Sequence, residues 1–258
     1  LISKSLYEKY FKQLNLKATV IYKNKYGNGE PTDTMMDNLL EDFNNSNCTR
    51  IIAIGGGTVI DMAKILVLKN GKCTEDIFYK RVPLEKVRPL IAIPTTCGTG
   101  SEVSNISVTE MTKLNTKMGL AIDELYPDYA VLIPELLTDL PYKFFAASAI
   151  DALIHAIESY MSPKATIYTE LYSKEAMNMI LEGFQKIVKE GHDARLSMLD
   201  QFLNASNLAG IAFNNAGNGA VHAMSSPLSG KYHVSHGEAN YQFFTAVFKE
   251  YTEKNPTG

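Results

Sequence analysis

The chain has no run of Lys or Arg and no apolar stretch near the roughly 18 residues that a membrane helix needs, and it carries only three cysteines among its 258 residues. The missing basic run, with a net charge of −3, makes nucleic acid a poor partner. The missing apolar run excludes a transmembrane helix. Cys48, Cys73 and Cys97 are odd in number and far apart, so they form neither a disulfide framework nor a CxxC zinc site. A reducing, cytoplasmic setting follows as the expectation. The opening LISKSLYEKYFKQL lacks the charged-then-apolar layout of a secretion signal. It begins with Leu and runs directly into a helix-like pattern, so further residues are expected beyond both ends. What is present, 45% hydrophobic and 21% charged residues, is enough for a globular core.

The first half alternates the two periodicities. SLYEKYFKQL and PTDTMMDNLLEDFNNS read as helices, ATVIYK, IIAI and RPLIAIPTT as strands, and GGGTVIDMAKILVLK as a turn into a helix. Such alternation predicts a parallel sheet covered on both faces. Past about Leu136 the apolar spacing is helical throughout, with Pro134 and Pro141 punctuating the change. The predicted architecture is therefore an α/β nucleotide-binding domain over 1–136 and an all-α domain over 137–258.

Two turns draw attention. Ile51–Ile54 runs into Gly55, Gly56 and Gly57, and a helix starts at once. Glycines allow close backbone approach, and the first helical N–H groups and the helix dipole favour an anion such as pyrophosphate. The same residues also fit a tight turn with no ligand, since neither GxGxxG nor a Walker GK[ST] is present. The second turn, Pro94-Thr95-Thr96-Cys97-Gly98-Thr99-Gly100-Ser101, again sets hydroxyls and glycines at a strand end. Consecutive strand ends of a parallel sheet are where ligands bind in open α/β folds.

The helical half holds a different chemistry. Asp151 and His155 lie four residues apart on one helix face, among apolar neighbours. A carboxylate there needs a partner or a metal. Of the other four histidines, His222, His233 and His236 fall close together, while His192 sits in a polar turn. Asp151, His155 and two of the three clustered histidines would suit Fe(II) or Zn(II). A plain Asp–His hydrogen bond with unrelated core or surface histidines fits the same residues.

These motifs, taken together, resemble one family. GGGTVIDMAK is similar to the GGGSxxDxAK turn of the iron-containing (group III) alcohol dehydrogenases, PTTCGTGSEV to their PTTAGTGSEV, and IDALIHAIESYMS to their MDALTHAIEAYVS helix. The stretch from His222 to Asn240 resembles the segment carrying their last two metal histidines. The resemblance implies Asp151, His155, His222 and His236 as ligands of Fe(II) or Zn(II). It places Gly55, Gly56, Gly57, Asp61, Thr95, Thr96, Thr99 and Lys117 at NAD or NADP. It further implies a dehydroquinate synthase-like pairing of the two domains, a homo-oligomer (a dimer), and hydride transfer with a small alcohol or aldehyde. Family members are longer, which implies a strand before residue 1 and helices after 258.

Two departures bear on catalysis. Ser226 stands where most of the family has a further histidine assigned to proton transfer. KYHVSHGEANY resembles the branch acting on 4-hydroxybutyrate and succinic semialdehyde. Lys231 is the only Lys or Arg between His222 and His236, and with His233 it would meet a substrate carboxylate; a solvated surface lysine is the alternative. A glycerol or other short-chain alcohol dehydrogenase, or a non-catalytic binding protein, remains open at this point.

Overall fold

The computed structural model describes residues 1–69, 72–232, 234 and 236–254, the side chains of 230 and 231 excepted. The chain divides into two compact units, Leu1–Thr95 with Ser101–Leu132, and Thr96–Gly100 with Ile133–Gly258.

The first unit is built on three parallel strands, β1 (Ile51–Gly55), β2 (Leu90–Pro94) and β5 (Tyr129–Ala130), in the order β1-β2-β5. β1 and β2 run in register from Ile51 opposite Leu90 to Gly55 opposite Pro94. Both are short apolar runs, buried except at Ile52, which is exposed, and Ile91, which is half-buried. After a short helical segment, α1 (Lys4–Leu6) continued by a π turn to Phe11, comes α2 (Asp33–Asn44). Its start is capped by Thr32, whose hydroxyl accepts from Met35 N at 3.2 Å. Met36, Leu39, Leu40 and Phe43, at helical spacing, join Ile51, Ala53, Leu90 and the inner face of α3 (Gly57–Ile65) in one core. The short α4 (Thr74–Phe78) covers the same core through Ile77 and Phe78.

Two expectations change here. ATVIYK is not a strand: only Tyr22 pairs, with Ile2, which in turn bridges to Ile54. The ladder stops because Lys23–Lys25 turns into a 3-10 helix, held by Lys23 Nζ donating to the carbonyls of Gly27 and Gly29 at 3.0 and 2.9 Å. An antiparallel hairpin, β3 (Ile106–Met111) and β4 (Thr116–Ala121), appears where none was expected. In β3 the fully buried positions are Ser107 and Thr109, so the hydrophobic alternation that marks a strand is masked.

The second unit is helical: α5 (Tyr142–Tyr160), α6 (Ile167–Glu190), α7 (Leu199–Ala216), α8 (Ala220–Tyr232) and α9 (His236–Lys254). α5 is the central rod. Ala149, Ala152 and Ala156 are fully buried along it, and small residues let neighbouring helices close in. α6 opens on a capping box between Thr166 and Thr169. The segment Thr96–Gly100 packs on these helices. A Cβ on Gly98 would lie 2.7 Å from the Ser148 carbonyl oxygen. One on Gly100, whose φ is +55°, would lie 2.4 Å from Gly210 Cα. Those two glycines therefore have a packing reason within the helical unit. Among the described residues no helix is long and apolar enough to cross a membrane, and the three cysteines are free.

Candidate metal centre and nucleotide turn

α5 carries Asp151, His155 and Glu158 on one face, at spacings of four and three, and all three are buried. His222 lies in the first turn of α8 and His236 begins α9. One donor atom from each of Asp151, His155, His222 and His236 falls within 4.8 Å of all the others. His222 Nε2 and His236 Nε2 are each 3.6 Å from Asp151 Oδ1. The His155 ring stacks between Phe213 of α7 and His222, at 4.3 Å from each. His236 is the most open of the set, its side chain 37% exposed.

Two further side chains complete the arrangement, and sequence reasoning passed over both. Glu158 Oε2 accepts from His222 Nδ1 at 2.5 Å, and its Oε1 accepts from Val221 N at 2.6 Å. Asn240, fully buried one turn after His236, donates from Nδ2 to Asp151 Oδ1 at 2.7 Å. The same nitrogen lies 3.1 and 3.3 Å from His222 Nε2 and His236 Nε2. Its amide orientation is set by Ser225, whose hydroxyl donates to Asn240 Oδ1. The signals were there to read: Glu158 is seven residues past Asp151, and Asn240 four past His236.

The electrostatics follow from this crowding. Burial works against the Asp151 carboxylate, but His155, His236 and His222 hold its pKa well below the usual range. Burial pushes His155 down to about 3. Burial also opposes charge on His222, yet Asp151 and Glu158 outweigh it and raise the ring to about 9. His155 Nδ1 is buried and makes no hydrogen bond. Three imidazoles and one ionised carboxylate converging on a point, with an orphaned ring nitrogen, are the donor chemistry of a divalent first-row metal.

Ser226, exposed on α8, donates its hydroxyl to the carbonyl of His222 at 3.0 Å. Its proton is thus turned to its own helix. The side chain of Lys231 and all of His233 lie outside the described residues.

In the first unit, Gly55 ends β1 and Gly56 is the N-cap of α3, with no side-chain cap on the helix. A Cβ on Gly55 would lie 2.5 Å from Val59, so strand and helix join as tightly as the chain allows. Thr95 N donates to the Gly55 carbonyl at 3.1 Å and ties the two strand ends together. Thr96 and Thr99, half-buried, belong to the helical unit. Asp61 is engaged from within: Ser101 Oγ donates to its Oδ1 and Val108 N to its Oδ2 at 3.1 Å. Lys64 beside it, fully buried and unnoticed in the sequence, donates to Ser101 Oγ, Ser104 Oγ and the Ile106 carbonyl at 3.0, 3.0 and 2.7 Å. The DxAK part of the motif thus braces the chain that follows β2. Lys117, on β4, is ion-paired with Glu30.

Known proteins carry the same pattern. Residues 1–134 match the iron-containing alcohol dehydrogenase family and residues 145–257 the Fe-containing alcohol dehydrogenase family, C-terminal region. All of this chain aligns at 53% identity with 70% of the 4-hydroxybutyrate dehydrogenase of Clostridium kluyveri. At 40% identity, 74% of it aligns with 48% of the long-chain-alcohol dehydrogenase 1 of Geobacillus thermodenitrificans. Among solved structures, a 1,3-propanediol oxidoreductase superposes with a TM-score of 0.86 at 27% identity, over 99% of this chain and 68% of that one. The sulfoacetaldehyde reductase of Bifidobacterium kashiwanohense, in complex with NAD+, gives 0.84 at 26%, over 98% and 68%. The chain belongs to the iron-containing alcohol dehydrogenase family, a family of oxidoreductases.

Proposed function

We propose that the protein is a metal-dependent, NAD(P)-linked dehydrogenase that interconverts 4-hydroxybutyrate and succinic semialdehyde. The observation that carries the metal-dependent chemistry is the convergence of Asp151, His155, His222 and His236 within 4.8 Å. The substrate rests on the 53% identity with the Clostridium kluyveri enzyme of that name. Those four residues would hold Fe(II) or Zn(II). When bound, the metal supplies Lewis-acid polarisation of an alcohol or carbonyl oxygen, and the nicotinamide gives or takes the hydride.

The chain's own residues have distinct tasks in this reading. Gly55, Gly56 and Gly57, with the uncapped first turn of α3, receive the pyrophosphate. Thr95, Thr96 and Thr99 offer hydroxyls to the cofactor, and Lys117 a cation. Asp61 supports the turn from within through Ser101 and Val108. Phe213 stacks on His155 and keeps water from that side of the centre. Lys231 and His233 recognise the substrate's remote carboxylate, a role resting on the KYHVSHGEANY resemblance. Ser226, bonded to the His222 carbonyl, would have to turn to serve a proton path. The change of periodicity near Leu136 supports a nucleotide domain over 1–136 and a metal domain over 137–258, the family resemblance a dehydroquinate synthase-like pairing and a homodimer, and the three widely spaced cysteines a cytoplasmic setting.

The test is reduction of succinic semialdehyde by protein reconstituted with Fe(II) or Zn(II), followed through NADH and NADPH oxidation. Turnover lost on chelation and restored by metal is the expected result. No turnover with either cofactor and either metal, in folded protein of full metal content, would sink the proposal.

A further inference from the structure

Glu158 is a buried carboxylate to which the reading above gives no task. It sits on α5, yet its acceptors are used by the start of α8: Val221 N donates to Oε1 at 2.6 Å, and the Gly219 amide donates to the same carboxylate. It thereby caps the N-terminus of α8 from a neighbouring helix, where a negative charge is favoured. The room for it is made by Gly219, where a Cβ would lie 2.8 Å from Glu158 Oε1. The remaining oxygen, Oε2, accepts from His222 Nδ1 at 2.5 Å.

A carboxylate here can only accept, so His222 Nδ1 must carry the hydrogen. When the ring gives up its second proton to a metal, the lone pair is therefore freed on Nε2, the atom that points into the Asp151 cluster, where Asn240 Nδ2 lies 3.1 Å from it. From this geometry we propose that Glu158 is a positioning residue: it fixes the tautomer and ring direction of His222, so that Nε2 is presented to the metal by the same contact that anchors α8. The inference rests on the metal reading above. Its chemical logic is that of an outer carboxylate that orients a ligand imidazole and makes it a better donor.

The experiment compares wild type with Glu158→Gln, using Zn(II) and Co(II) alone as probes. Gln keeps the shape but has one acceptor, so either His222 Nδ1 or the α8 amides lose theirs. Metal affinity measured against a chromophoric chelator should fall about 10- to 100-fold, and the visible Co(II) spectrum should change. Unaltered affinity and spectrum would overturn the inference. A parallel measurement needs no variant: two-bond 1H–15N correlation on Zn(II)-loaded wild type should show His222 protonated at Nδ1 and ligating through Nε2. The opposite tautomer would overturn the inference even if the variant failed to fold. Failure of wild type to take up either metal would sink the metal reading and this one with it. Normal uptake by both proteins would sink only the role of Glu158.

Discussion

Among single residues, Lys64 shows how a side chain can be held at a cost. Burial lowers its pKa to about 8, and the charges of Asp61 and Glu102 restore only part of the loss. The amine is fully buried, with three hydrogen bonds to the chain after β2. The sign of its effect on stability follows from linkage. Between pH 8 and about 10.5 the unfolded chain keeps the proton that the folded one has released, so stability rises with pH across that window. Relative to Lys64→Met, the wild type should gain on the order of 3 kcal/mol between pH 7.5 and 10.5. Urea unfolding of both proteins across that range checks it, and a flat difference would mean that Lys64 stays charged in the fold.

At the level of elements, legibility depended on whether one residue type dominated a position. α3 could be read because Gly55 and Gly56 precede it and Gly57 opens it, and α5 because Asp151 and His155 share a face. The hairpin β3–β4 could not, because its buried side carries the polar Ser107 and Thr109, which break the hydrophobic alternation of a strand. Glu158 escaped notice for a related reason. A glutamate near a helix end looks like a solvated residue until the start of another helix is brought against it. The glycines of Thr96–Gly100 read as part of a ligand-binding turn, and in the structure they also press against α5 and α7. Gly100→Ala should therefore cost about 2–3 kcal/mol, from backbone strain plus overpacking against Gly210. Gly29→Ala is the control: φ is +77° but nothing lies within 4 Å, so only the backbone strain of about 1–2 kcal/mol remains. Equal losses in chemical unfolding would show that the contact with Gly210 is slack.

On the scale of the whole molecule, the proposed metal centre joins α5, α8 and α9. A ligand that binds only the folded form adds about 2.7 kcal/mol at a hundredfold excess over its Kd. Saturation with Zn(II) should thus raise Tm by about 5–10 °C in calorimetry, and a chelator should reverse it. An unmoved transition would mean that the four side chains hold no metal in the folded protein. The placement of the ligands along the chain also sets a timetable. Asp151 and His155 are made together and meet as soon as one helix forms, whereas His222 and His236 are synthesised only after α6 and α7. Half of the centre is therefore local and half arrives late. A chain cut before α8 would offer the ion a weak two-point grip, and full loading waits until α9 has docked. Metal content then records that synthesis has passed α9, separating such chains from those stopped earlier.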